Sequence, residues 1–298
     1  MKTPAEVAAA AQLACLLEVS APKPGNVSPE RHFHDTRYED FLASAVAIGP
    51  ALSEAGQKPL GRTIRRAIED TRQWTRSNTN LGIVLLLAPL AHAALAAEEP
   101  AAGGAREPAP SPARGTLRER LALVLRRTTV DDAAQVYAAI RHARPGGLGE
   151  AAKEDVSDAP SVTLQDAMAL AAGRDAIARE YVTDFALTFE VGVPAVRAAR
   201  AAGLAWTDAA VDAYLRLLDA AADTHIARKL GLTEAESVSQ RAREVLKAGG
   251  TRSPDGRKAL AAMDADLRDP QNRRNPGTTA DLTCAAIFIV ILEGGWDR

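Results

Sequence analysis

Leu81-Gly82-Ile83-Val84-Leu85-Leu86-Leu87-Ala88-Pro89-Leu90-Ala91-His92-Ala93-Ala94-Leu95-Ala96-Ala97 decides how this chain folds. The run is apolar on every side, interrupted only by Pro89 and His92. It is too long for a strand, and a helix that is apolar all round belongs in a protein interior or in a bilayer. Its length approaches the lower limit for a membrane span. Dilution by alanine and the lack of a flanking aromatic belt favour a central helix buried in protein. The rest of the chain agrees. Of 298 residues roughly one in five is alanine and only 4% are aromatic, a composition that favours helix and works against a large sheet. The expectation is an all-α, single multi-helix domain built around this helix.

Capping-box spacing at Thr3/Glu6 and Thr36/Glu39 marks two helix starts, since a hydroxyl and a carboxylate three residues apart satisfy orphan amides reciprocally. Apolar periodicity predicts helices near 4–20, 37–56, 59–75, 80–97, 116–128, 131–143, 163–172, 174–202, 207–229, 234–248, 254–266 and 279–293. Between Glu98 and Gly115 the composition turns to Pro, Ala and Gly, which reads as a long, flexible surface loop near 98–115.

Lys plus Arg number 36 and Asp plus Glu 38, a net charge of −2. That balance gives no basic footprint for nucleic acid. Cys15 and Cys284 are the only cysteines and form neither a disulfide framework nor a zinc motif. With no secretory pattern at the start, a cytoplasmic protein is expected, with no membrane partner and with a homo-oligomer left open.

Four polar segments interrupt the helices. In Ala21-Pro22-Lys23-Pro24-Gly25-Asn26-Val27-Ser28 the prolines stiffen the backbone and would present Lys23 to a phosphate, or simply make a good turn. His34-Asp35 follows, a catalytic pair or a cap. Ser77-Asn78-Thr79-Asn80-Leu81-Gly82 opens the apolar helix, where backbone amides attract anions and Asn78 and Asn80 exceed what a cap needs. Pro145-Gly146-Gly147-Leu148-Gly149-Glu150 allows close backbone approach to a ligand beside the Glu150 carboxylate, and is not a Walker loop. Asn275-Pro276-Gly277-Thr278-Thr279-Ala280-Asp281 puts Asp281 either in a capping role or beside a hard cation such as Mg²⁺. Asp212, Arg216, Asp219 and Asp223 form one helical stripe, which by default is a solvated face; Glu180, Asp184 and Glu190 receive the same default.

Taken in order, Pro22-Lys23-Pro24-Gly25-Asn26-Val27, Asp40-Phe41-Leu42-Ala43-Ser44-Ala45, Asn78-Thr79, Gly149-Glu150-Ala151, Asp223-Thr224 and Pro276-Gly277 with Ala280-Asp281-Leu282 resemble the triphosphoribosyl-dephospho-CoA synthase family across nearly the whole chain. The resemblance implies an all-helical transferase that joins the ribose of ATP to a hydroxyl acceptor, 3′-dephospho-CoA, and releases adenine. Cleaving the N-glycosidic bond develops oxocarbenium charge, so a stabilising carboxylate, a base and phosphate-binding cations are needed. On that reading Glu150 or Asp35 is base or stabiliser, and Asp223 and Asp281 bind Mg²⁺. Lys23 and Arg228 meet phosphates, the Gly25-Asn26 turn lies against the nucleotide, and Asn78 and Asn80 orient it.

Two departures stand out. The family pattern Asn-Thr-His-Lys-Gly is here Asn78-Thr79-Asn80-Leu81-Gly82, and Gly-Ala-Arg-Gly-Glu is Gly146-Gly147-Leu148-Gly149-Glu150. Two cations and a histidine are replaced, each able to carry a charge-assisted hydrogen bond of about 1.5–3 kcal/mol. That marks a divergent branch, with another acceptor, such as one in pterin-type cofactor synthesis, or a donor with fewer phosphates. Beside the transferase stand a Mg²⁺-dependent hydrolase of an N-glycosidic or phosphate bond, and a non-catalytic helical module that binds a nucleotide or a partner.

Overall fold

The computed structural model describes residues 2–96, 115–146, 149, 151 and 153–296. The expected flexible loop near 98–115 therefore lies outside the described residues, apart from Gly115. Among those described there is no strand, only an isolated bridge between Ser28 and Arg31, so the all-α expectation is borne out.

The apolar run forms α5 (Leu81–Leu95), and every residue from Ile83 to Ala91 is buried. Each of its buried leucines, Leu81, Leu85, Leu86, Leu87 and Leu90, contributes about 1.5–3 kcal/mol by leaving water. A second helix apolar on all sides, α15 (Gly277–Leu292), packs against it. α1 (Pro4–Ser20) and α11 (Trp206–Ala220) close over α15. α4 (Leu60–Arg72) and α6 (Leu117–Arg126) flank α5, and α7 (Val130–Ala143) packs tightly on α4. At that contact the Asp132 carboxylate accepts from Gly61 N at 2.8 Å, and a Cβ on Gly61 would lie 2.6 Å from the Asp132 backbone.

No helix among the described residues is long and apolar enough to cross a membrane. Pro89 sits inside α5 and has no N–H for the carbonyl of Leu85, one turn earlier. That orphan acceptor takes the hydroxyl of Tyr181 at 2.7 Å. Tyr181 is fully buried on α9 (Ala176–Val182), so α9 is fastened to the central helix at its one internal defect.

Three expected long helices are broken. The 37–56 helix is α2 (Tyr38–Ala47) and α3 (Gly49–Ser53), divided ahead of Pro50. α2 starts one residue later than the Thr36 box implied, with Arg37 N donating to Asp40 Oδ2. The 174–202 helix breaks at Asp184 and Phe185, both at positive φ, then passes through a π-helical turn, Thr188–Gly192, into α10 (Val193–Ala201). Glu180 is buried there and accepts from the amides of Leu187 and Thr188, so it is no solvated side chain. The 207–229 helix ends at Ala220, and Asp223 caps a separate α12 (Thr224–Leu230). Asp212 in the supposed solvated stripe is also buried, held by Arg216 at 2.8 Å and Arg252 at 3.5 Å.

Tyr181→Phe should cost about 1–3 kcal/mol, the price of a buried unpaired carbonyl. In a Pro89→Ala background residue 89 regains an N–H for Leu85, so the same change should cost clearly less. A denaturant double-mutant cycle measures the difference.

Candidate functional site

A cavity of about 770 Å³ opens between the N-terminal ends of α5, α9, α12 and α15 and the helices α7 and α8 (Leu164–Ala171). Helix starts supply its polar side, because amides left free at helix N-termini and their caps all point the same way. Asn26, Asn78, Asn80, Arg228 and Asp281 all line it, although they are scattered from the first turn to the last helix. Asn80 is buried and donates to Thr71 Oγ1 at 3.0 Å. Asn78 Oδ1 accepts from Leu81 N at 3.2 Å. Asn26 Nδ2 reaches the Tyr214 hydroxyl at 3.1 Å, and that hydroxyl donates to Pro24 O at 2.8 Å, which fixes the turn.

The remaining sequence candidates lie elsewhere. Lys23 is fully buried; its ammonium bonds the backbone oxygens of Glu18 and Ala21 and lies 2.9 Å from Glu18 Oε1. It is turned back on its own helix end and does not line the cavity. Gly25 sits at φ +75, donates to Asp264 Oδ1 at 2.8 Å and also stands behind the lining. Asp35 is largely exposed, 3.9 Å from His34 Nε2, and does not line the cavity. Glu150 lies outside the described residues, between the lining residues Gly149 and Ala151.

Asp223 is buried and fully engaged. Oδ1 accepts from the amides of His225 and Ile226, and Oδ2 from the amide and hydroxyl of Thr279. A carboxylate has about four acceptor positions, so none is left for an ion. Among the described residues no group of three or more His, Cys, Asp or Glu is placed to hold a metal. An Asp223–Asp281 pair therefore does not fit a resident Mg²⁺.

Asp281 is different. Thr278 and Asp281 have capping spacing, yet α15 begins at Gly277, so Asp281 lies a turn inside and accepts no capping hydrogen bond among the described residues. It faces the cavity, and burial, then the charges of Glu18, Asp223 and Asp175, push its carboxyl well above the usual range, with Arg228 opposing. Burial also lowers the His225 imidazole to about 3, so it is neutral at physiological pH. Lining groups that sequence reading missed include Glu18, taken as helix interior, Arg174 and Asp175, taken as the first turn of the 174–202 helix, and His225. The Gly173-Arg174-Asp175 break was the available signal. Asp175 Oδ1 caps α9 through Ala178 N, and Oδ2 lies 3.5 Å from Arg228. Arg228 Nε and Asn275 Oδ1 are buried and have no partner among the described residues.

The fold and this cavity define an all-helical protein with a cavity lined by helix-start amides, carboxyl groups and cations. The chain belongs to the CitG family, ATP:dephospho-CoA triphosphoribosyl transferase, which it matches over residues 4–298. It is 33% identical over 104 residues to the 2-(5″-triphosphoribosyl)-3′-dephosphocoenzyme-A synthase of Klebsiella pneumoniae, covering 35% of this chain and 36% of that one. A probable synthase of the same name from Stutzerimonas stutzeri is 34% identical over 105 residues, 35% of this chain and 36% of its own. The chain thus aligns with roughly a third of the length of these curated relatives. The crystal structure of a candidate triphosphoribosyl-dephospho-CoA synthase from Archaeoglobus fulgidus superposes with a TM-score of 0.62 at 28% identity, covering 85% of this chain and 99% of the other.

A Cβ on Gly82 would lie 2.5 Å from Asp281 Cγ and 2.7 Å from Ile177 Cδ1. At an unobstructed helical position alanine gains up to about 1 kcal/mol over glycine. Gly82→Ala should instead lose about 1–3 kcal/mol in urea denaturation, because the Asp281 carboxyl must move.

Proposed function

We propose that this chain transfers the triphosphoribosyl group of ATP to a hydroxyl of 3′-dephospho-CoA and releases adenine. Membership of the family supports the reaction class. The observation that carries the reading is Asp281, a cavity-facing carboxyl raised by burial and then by the acids around it. A carboxyl whose proton is held more firmly than usual by burial can act as the acid for a departing base. The acids Glu18 and Asp175 beside it make the interior favourable to a developing oxocarbenium ion.

Cations nearer the opening suit the triphosphate. Arg174 and Lys153 are exposed and line the cavity, and Arg228 lies deeper. Among the described residues the Arg174 guanidinium has no ion-pair partner within 4 Å, which leaves it available to a phosphate. Asn78 and Asn26 are assigned to the nucleotide. Glu150, between Gly149 and Ala151, keeps its proposed role as stabiliser of the sugar cation. Magnesium is assigned to the triphosphate of the incoming nucleotide, as part of the substrate. We place the reaction in the cytoplasm, where Cys15 and Cys284, buried with sulfurs 3.7 Å apart, stay reduced.

Incubation with Mg-ATP should yield adenine only when dephospho-CoA or another hydroxyl acceptor is present. Adenine without an acceptor would make the protein a hydrolase, and ADP as main product a kinase. Asp281→Asn should lower kcat by about 10²–10⁴. The active form of Asp281 is protonated, so turnover of the unaltered protein should fall as pH rises through its raised pKa, and that basic limb should vanish in the variant.

A further inference from the structure

Glu18 is the buried carboxylate that neither motif nor spacing singled out. It lies in the last turn of α1, is 4% exposed, and lines the cavity. One oxygen is taken by Lys23 Nζ at 2.9 Å, and Lys23 is itself tied to the carbonyls of Glu18 and Ala21. Among the described residues no protein donor bonds the other oxygen, which is also absent from the fully enclosed unpaired atoms. A buried ion pair normally spends both partners on each other and on nearby dipoles. This one leaves an acceptor on a cavity wall, with the cation on the far side.

The groups around it are few. Lys23 follows in the loop after α1, Cys15 lies one turn earlier on α1, Tyr214 approaches from α11, and Asp281 and Cys284 from α15. Lys23 is the one cation within 4 Å of Glu18 among the described residues. It holds the carboxylate in place and sets a positive charge 2.9 Å from one of its oxygens.

Resting on the proposed transfer, we propose that Glu18 is the general base for the acceptor hydroxyl and that Lys23 is its positioning residue. The acceptor oxygen forms the new bond to the ribose anomeric carbon as the bond from that carbon to the adenine nitrogen breaks. The hydroxyl proton goes to Glu18, and adenine leaves with the proton of Asp281. Glu18 ends protonated and Asp281 ionised, and proton exchange with water entering the open cavity restores both.

The test compares the unaltered protein, Glu18→Gln and the double variant Glu18→Gln/Lys23→Met, with Mg-ATP and dephospho-CoA as substrates. Glu18→Gln should lower kcat at least 100-fold with KM for ATP changed less than about threefold, and should abolish the acid limb of the pH–rate profile. Because it strands a buried ammonium, its melting temperature should also fall. The double variant removes that ammonium and should regain stability while staying as slow as the single variant. A folded double variant that turns over within threefold of the unaltered protein, or a Glu18→Gln protein that keeps the acid limb, overturns the assignment of Glu18 alone. No adenine from the unaltered protein overturns the transfer itself, and this base with it.

Discussion

Four hydrogen bonds to one buried carboxylate hold the site in shape. Asp223 accepts from the first amides of α12 and from Thr279 at the start of α15, so two helix N-termini converge on a single anion. Burial raises its carboxyl while these bonds lower it, and the partial positive charge at both helix starts favours the ionised form. The geometry of the cavity follows. α12 carries His225 and Arg228, α15 carries Asp281, and their mutual placement is set by a group that does not itself line the cavity. Close packing reinforces the arrangement: a Cβ on Gly277 would meet the His225 ring at 3.1 Å from Cε1.

Charge is distributed unevenly around that frame. Carboxyl groups from α1, α15 and the start of α9 gather at the inner wall, whereas Lys153 and Arg174 stand in exposed positions. Apolar side chains from α7 and α8, including Val136, Ile140, Leu164 and Met168, complete the opposite wall. In a medium of low effective dielectric such separation is worth far more than on an open surface. On the proposed function, this separation favours one orientation of the nucleotide, with phosphates outward and sugar inward. The neutral state of His225 fits that division, because it adds hydrogen-bonding capacity without another positive charge among the acids.

Much of this was legible in the residues, and the failures have physical causes. The apolar run from Leu81 and the alanine-rich composition read correctly as an all-helical interior, since solvation alone decides them. Asn26, Asn78, Asn80, Arg228 and Asp281 were selected as site residues and do share one cavity. Lys23 was read as projecting from a stiff turn, but rigidity does not determine direction, and the free carbonyls at the end of α1 claim its ammonium. Asp223 carried the composition of a metal ligand and the position of a cap, which only the count of its donors separates. Glu18 sat in an unbroken helical pattern, where nothing local distinguishes a solvent-facing acid from one turned into a pocket. Arg174 and Asp175 stand at the start of the helix expected over 174–202, where they read as an ordinary capping turn and nothing local shows that they border a cavity.

The tie between Tyr181 and Leu85 also bears on how the molecule breathes. α9 contributes Ile177 and Ala178 to the cavity wall while its tyrosine satisfies the carbonyl that Pro89 leaves open in α5. Peeling α9 away would strand that carbonyl in a dry interior, so opening the wall on this side is coupled to disrupting the central helix. Amides of α9 therefore belong with those of α5 among the slowest to exchange with solvent, and the binding wall here is part of the last unit to unfold.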